Sequence, residues 1–163
     1  MKKILLFSDT HGYIDNKILN YCLSVDEVWH AGDIGNIEVI DKIKKIKPVK
    51  GVYGNIDNHV IRNEFPLDNK FYCENIKVWI THIGGYPGNY NKRISEKLKS
   101  EKVDLFICGH SHILKVINDK KNNLLHINPG AIGKHGFHNK RTMVRFEING
   151  KKIENLEIIE FDR

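Results

Sequence analysis

Apolar residues recur along this chain in two rhythms. Short unbroken runs, "ILLF" at 4–7, "EVWH" at 27–30, "VWIT" at 78–81 and "LFIC" at 105–108, are each followed within three residues by glycine, an acid or histidine. Runs of this length bounded by turn residues predict buried strands. Between them, Asp15 to Leu23 and the stretches "NIEVIDKIKKIK" and "YNKRISEKLKSEK" space their apolar positions three and four apart and predict amphipathic helices. Strand, helix and strand therefore alternate through the first two thirds, with a short strand at "VKGVYGN", as in βαβ units with parallel pairing. The stretch "KFYCENIKVWITH" reads as two strands joined at Glu74-Asn75, and "HILKVINDKKNNLLHIN" and "RTMVRFEINGKKIENLEIIEF" read as hairpins. The fold expected is α/β: two mixed β-sheets packed face to face and flanked by helices, in one domain over 1–163.

Chemistry-bearing residues stand at the strand ends. Asp9 and His11 follow the first run, Asp33 the second, Asn55 and Asp57 the third, His82 closes "WITH", and His110 and His112 close "FICGHSH". In open α/β sheets ligands bind beyond the carboxyl ends of the strands, so these side chains should meet in one crevice. Residues i and i+2 of an extended chain point the same way, which lets Asp9 and His11 reach one object. The set is nitrogen and oxygen only. Seven such donors, Asp9, His11, Asp33, Asn55, His82, His110 and His112, exceed what one ion needs and suit two ions about 3.5–4 Å apart. Gly32, Gly54 and Gly109 each precede one of them, where a Cβ would hinder the backbone's approach to the site.

Composition narrows the class without naming a ligand. Hydrophobic residues at 40% and charged residues at 28% exclude disorder and a membrane span. The opening "KK" before "ILLF" is not read as a signal peptide, because the apolar run stops at Asp9. Cys22, Cys73 and Cys108 are odd in number and widely spaced, which supports neither disulfides nor a thiolate zinc site and fits a reducing cytoplasm. The net charge of +6 comes from lysines spread over helix faces. No basic stretch is interleaved with aromatics, so nucleic acid is expected as a substrate at most and not as a partner. No membrane contact is expected.

The blocks Asp9-x-His11, Gly32-Asp33, Gly54-Asn55, His82 and Gly109-His110-Ser111-His112 stand in an order that resembles the calcineurin-like metallophosphoesterase superfamily. The short chain and the Asn128-Pro129-Gly130-Ala131 loop resemble its small YfcE-type phosphodiesterase branch. The resemblance implies two divalent ions, manganese first, with nickel, zinc or iron also suited to such donors. It assigns Asp9, His11 and His112 to one ion, Asn55, His82 and His110 to the other, and Asp33 as the bridge. It further implies a metal-dependent phosphodiesterase acting on a small phosphodiester through a hydroxide held between the ions, with Asp33, Asn55 and His82 as catalytic residues. Asp57 and Asn128 are expected to support the ligands from behind.

One position departs from the family. Many of its phosphatases carry histidine directly after the Gly-Asn pair to protonate the departing oxygen, whereas this chain has Ile56. General acid catalysis is worth about 10²–10⁴-fold, so good leaving groups, and diesters over monoesters, are favoured unless another group such as His138 substitutes. His30 is read as a strand residue packed near the site, His59 and His135 as surface or loop residues, and His126 carries no signal. The competing readings are a phosphomonoesterase and a binding scaffold of the kind formed by the small retromer subunit, which shares the fold with a degraded metal site. A homodimer is compatible with the sequence.

Overall fold

The computed structural model describes residues 1–163 as two five-stranded sheets with helices on their outer faces. In chain order the elements are β1 (Lys2–Phe7), α1 (Asn16–Leu23), β2 (Glu27–His30), α2 (Ile37–Lys44), β3 (Val49–Gly51), α3 (His59–Glu64), β4 (Asp68–Cys73), β5 (Ile76–Thr81), α4 (Lys92–Ser100), β6 (Leu105–Ile107), β7 (Leu114–Asp119), β8 (Leu124–Pro129), β9 (Lys140–Asn149) and β10 (Lys152–Asp162). The first sheet has the order β10-β9-β1-β2-β3 and the second β4-β5-β6-β8-β7. Each is mixed: β1, β2 and β3 run parallel, as do β5, β6 and β8, and antiparallel hairpin strands complete both sheets.

Alternation along the strands decides what lies between the sheets. Ile4 and Leu6 of β1 face inward with Trp29, Val144 and Phe146, and they meet Val78, Ile80, Leu105, Ile107 and Ile127 of the second sheet in one core. Leu5, Phe7 and Val28 point the other way, beneath Ile18 and Cys22 of α1 and Val39, Ile40 and Ile43 of α2. The parallel strands are buried on both faces, which is why "ILLF" is continuous rather than alternating. Full burial of each such side chain stabilises the fold by about 1.5–3 kcal/mol. On the opposite side, α4 covers Trp79 and Phe106 through Ile94.

Helix starts follow the sequence closely. Asp15, Asn36, Asn58 and Asn91 each accept a backbone N–H of the first turn, capping α1 to α4. The short α3, which has no periodic signal of its own, lies directly after the loop that carries Asn55 and Asp57. No helix is long and apolar enough to cross a membrane, and Cys22, Cys73 and Cys108 are free and buried.

Candidate metal centre

Five parallel strands, β1, β2 and β3 of one sheet and β5 and β6 of the other, deliver their carboxyl ends to one edge of the sandwich. The loops there are tied to each other by backbone hydrogen bonds: Asp9 N–H to the Gly32 carbonyl at 2.9 Å, His11 N–H to Asp33 at 3.0 Å, Gly109 N–H to His82 at 2.9 Å and Gly133 N–H to Asp9 at 3.1 Å. The first three join loops of the same sheet, and the last, from Gly133 in the loop after β8 to Asp9, ties the second sheet's loops to the first's.

The backbone at this edge is strained in a concerted way. Asp9, His11, Asp33, His110 and His112 all adopt positive φ, between 46° and 70°. Left-handed backbone costs a residue with a Cβ roughly 1–2 kcal/mol, and elsewhere in the chain non-glycine residues adopt it only at Glu74, Asn123 and Asn155. Five neighbouring instances are sustained by the surrounding packing, and their effect is to turn five polar side chains toward one point. Gly54 shows how little space remains: a Cβ there would lie 2.1 Å from Asp33 Oδ1.

Two groups of donors result. Asp9, His11 and His112 bring ligand atoms within 4.8 Å of one another, and so do Asp33, His82 and His110. Asp33 Oδ2 lies between the groups, 3.5 Å from His11 Nε2 and 3.2 Å from His82 Nε2. The rings of His110 and His112 separate, one to each group. Asn55 is exposed at the rim, sharing one wall with Asp33 and His110 and another with His82. All seven candidate donors are therefore together.

Hydrogen bonding fixes which atoms are offered. His82 Nδ1 is 2.7 Å from the Ala31 carbonyl, which can only accept, so Nδ1 carries the proton and Nε2 presents a lone pair. Both His82 Nε2 and His11 Nε2 are buried and make no hydrogen bond, although carboxylate oxygens stand 3.2–4.0 Å away. Buried imidazole nitrogens facing two carboxylates without hydrogen bonding fit a cation between them. The carboxylates are prepared in the same sense: Asp9 Oδ2 accepts from the Ser8 hydroxyl at 2.6 Å and from His110 N–H at 3.2 Å, and Asp33 Oδ1 accepts from Ile56 N–H at 3.1 Å.

The electrostatics follow from this geometry. Burial opposes ionisation of Asp9, yet contact with His11 and His112 outweighs it and holds the carboxyl far below its ordinary range. Asp33 is lowered in the same way, burial being overcome by His82. The Asp9 carboxylate raises His11. Burial works against charge on His82, but Asp33 and Asp9 raise it in balance. Behind them, burial pushes His30 down to about 4. Its Nδ1 accepts Gly32 N–H at 3.1 Å and its Nε2 donates to the Thr10 hydroxyl at 3.0 Å, which in turn donates to the Ile34 carbonyl.

Asp57 is buried, and its carboxylate accepts N–H bonds from Ile34, Gly35 and Gly54 at 2.8–3.1 Å, joining the loops after β2 and β3. Asn128 donates to the Gly109 carbonyl and the Ser111 hydroxyl and accepts from Gly130 N–H, fixing the loop that carries His110 and His112. Ile56 is 48% exposed and lines the mouth of the site. His138 also lines it, but Nε2 donates to the Gly133 carbonyl at 2.8 Å and burial lowers its pKa, so its one proton is already engaged. His59 is exposed at the start of α3 and stays outside the mouth. His135, expected at the surface, is exposed but stacks on His11 with ring centroids 4.7 Å apart. It lies on a loop with no strand end or period to mark it.

Over residues 1–151 the sequence matches the calcineurin-like phosphoesterase superfamily domain. No curated protein matches by sequence. Among solved structures, wild-type Vps29 from Entamoeba histolytica complexed with Zn²⁺ superposes with a TM-score of 0.75 at 17% identity, covering 98% of each chain. A predicted phosphoesterase from Streptococcus pneumoniae TIGR4 gives 0.69 at 22% identity over 99% of this chain and 98% of that one. Yfce, a phosphoesterase from E. coli, gives 0.64 at 19% identity over 95% and 98%. At these identities the likeness is one of fold.

Proposed function

The chain belongs to the calcineurin-like phosphoesterase superfamily, and on that premise we propose that it is a phosphodiesterase using two divalent ions. The observation that carries the reading is the pair of unpartnered buried nitrogens, His11 Nε2 and His82 Nε2, on either side of Asp33. Asp9, His11 and His112 would hold one ion, Asn55, His82 and His110 the other, and Asp33 both. When bound, the ions would supply Lewis-acid polarisation of the phosphoryl oxygens and a water acidified toward neutrality.

The protein's own contribution is position and charge. His82, locked by Ala31, presents its Nε2 lone pair as a ligand rather than as a mobile base. Asp33 keeps Oδ2 for the centre because Ile56 N–H occupies Oδ1. Asn55, whose carbonyl accepts from Arg62 at 3.3 Å, is held at the rim where its amide can meet a phosphoryl oxygen. With Ile56 at the mouth and the His138 proton on Gly133, no positioned acid serves the departing oxygen, which favours diesters with good leaving groups over monoesters. Manganese, iron, nickel and zinc all suit the donors, and three free thiols agree with work in a reducing cytoplasm.

The scaffold reading, which the Vps29 likeness keeps in view, needs no complete donor set. Here five donors take left-handed backbone to complete one. Reconstitution with Mn²⁺ followed by elemental analysis should give close to two equivalents, and hydrolysis of bis(4-nitrophenyl) phosphate should depend on the metal. Asp33→Ala should disturb both ions and abolish turnover, whereas His112→Ala should disturb mainly one. Saturation at a single equivalent would end the two-ion reading, and metal-loaded protein without turnover would favour the scaffold.

A further inference from the structure

Beside the centre, between the loops after β5 and β6, opens a cavity of about 430 Å³, within the range of about 300–1,000 Å³ typical of small-molecule sites. His110 stands in its wall and in the wall of the mouth, so a phosphate over the donor cluster would have its organic group at the cavity's entrance. The walls are apolar and aromatic: Ile83 and Ile113, 43% and 62% exposed, with Tyr86 and Tyr90. Apolar side chains left this open beside a polar centre await a partner.

The polar groups narrow what that partner is. Asn91 and Asn128 are occupied, Asn91 by Ile83 and Ile94 and Asn128 by its own loop. Free to donate are the Lys115 ammonium, 4.2 Å from the Tyr86 ring centroid, the Tyr86 hydroxyl proton, since that oxygen already accepts from Asn89 at 3.1 Å, and the Ser111 hydroxyl proton, since that oxygen accepts from Ile113 N–H and Asn128. His126, in the buried part of the wall, has Nδ1 3.3 Å from the Tyr90 hydroxyl and an Nε2 without a partner. Lys115 is the only formally charged side chain in the lining, which contains no acid. Such a cavity suits a flat group rich in hydrogen-bond acceptors. It opposes a cationic alcohol, because the Lys115 ammonium 4.2 Å from the Tyr86 ring centroid would repel a second cation and no acid in the lining offsets it, whereas a neutral base is not repelled.

We propose that this cavity binds the nucleoside of a nucleotide phosphoester, the base lying against Tyr86, Ile83 and Ile113 with Lys115 at its acceptor edge. The inference rests on the phosphoesterase reading for the placement of the phosphate, and it is tested without turnover. Calorimetry on Mn²⁺-loaded protein would compare methyl phosphate, phosphocholine and thymidine 5′-monophosphate, thymine being chosen because its carbonyl oxygens supply the acceptors without a purine N7 that could itself take the metal. The nucleotide should bind about tenfold or more tighter than methyl phosphate, in line with base stacking on an aromatic side chain, and phosphocholine no tighter than methyl phosphate. Tyr86→Ala should remove the nucleotide's advantage while leaving methyl phosphate unchanged. Lys115→Glu should weaken the nucleotide and strengthen phosphocholine.

Equal affinities for the three esters, or a nucleotide advantage that survives Tyr86→Ala, would overturn the assignment. The two readings fail separately. A tenfold nucleotide advantage without hydrolysis of any diester would leave the cavity and remove the enzyme; hydrolysis with flat affinities would do the reverse.

Discussion

Ile56 sets the chemistry by what it lacks. Its backbone N–H orients Asp33 while its side chain stands half exposed at the mouth, with no proton to give a departing oxygen. For a series of aryl phosphodiesters, log kcat should therefore fall steeply as the leaving-group pKa rises. Ile56→His should accelerate poor leaving groups by up to about 10²-fold and barely change a nitrophenyl ester. An apolar pocket around Ile56 would have made the variant hard to interpret, but at half exposure the substitution should change stability by no more than about 0.5 kcal/mol. A shallow dependence in the unmodified protein would point to another acid. His135, stacked on His11 at the open mouth, is the residue to replace first, ahead of His138 with its engaged proton. The ligand candidates were legible because each follows a strand. His135 was not, since its place beside His11 arises from a long-range contact across 124 residues that no local pattern encodes.

Elements were legible where burial imposes a period and obscure where it does not. Runs such as "ILLF" and "VWIT", and the hairpins with their Asn, Asp and Gly turns, declare themselves because both faces of the strand, or one face and a turn, constrain the residue types. The six-residue α3 buries only Ile61, too little to leave a rhythm, and its cap is the plainest trace of it. Caps also couple elements to the site. Asn91 accepts from Ile94 N–H to start α4 and donates to the Ile83 carbonyl, one residue beyond His82. Losing such a cap costs about 1 kcal/mol, so Asn91→Ala should lower Tm by roughly 2–4 °C in a chain of this length. It should also loosen the loop beside the proposed nucleoside cavity, weakening thymidine 5′-monophosphate more than methyl phosphate. An unchanged Tm would show that water replaces the cap without loss and would break the link between α4 and the loop.

At the scale of the molecule, two sheets pack so that their parallel strands point carboxyl ends the same way, and the site exists only while both halves are docked. Proton uptake should therefore report on folding, with two separate windows in metal-free protein. Burial pushes His30 and His126 down to about 4, well under the ordinary 6.5, so between those values the unfolded chain binds more protons than the folded one. Stability must then fall as the pH drops from 6.5 toward 4, by a few kcal/mol for the two rings together. His11 and His82 are shifted the other way, raised by the carboxylates beside them. Their contribution is fully present below 6.5 and is lost as the pH rises through their folded values. Metal-free protein should consequently be most stable near pH 6.5 and weaker on either side, more steeply toward acid. Divalent metal removes the alkaline loss, because the ion needs the same two nitrogens unprotonated and binds the folded state more tightly as they deprotonate. Tm measured from pH 4.5 to 8.5 in chelator should pass through a maximum that shifts upward when excess Mn²⁺ is added. A maximum that does not move with metal would mean that His11 and His82 are not the nitrogens the ion takes.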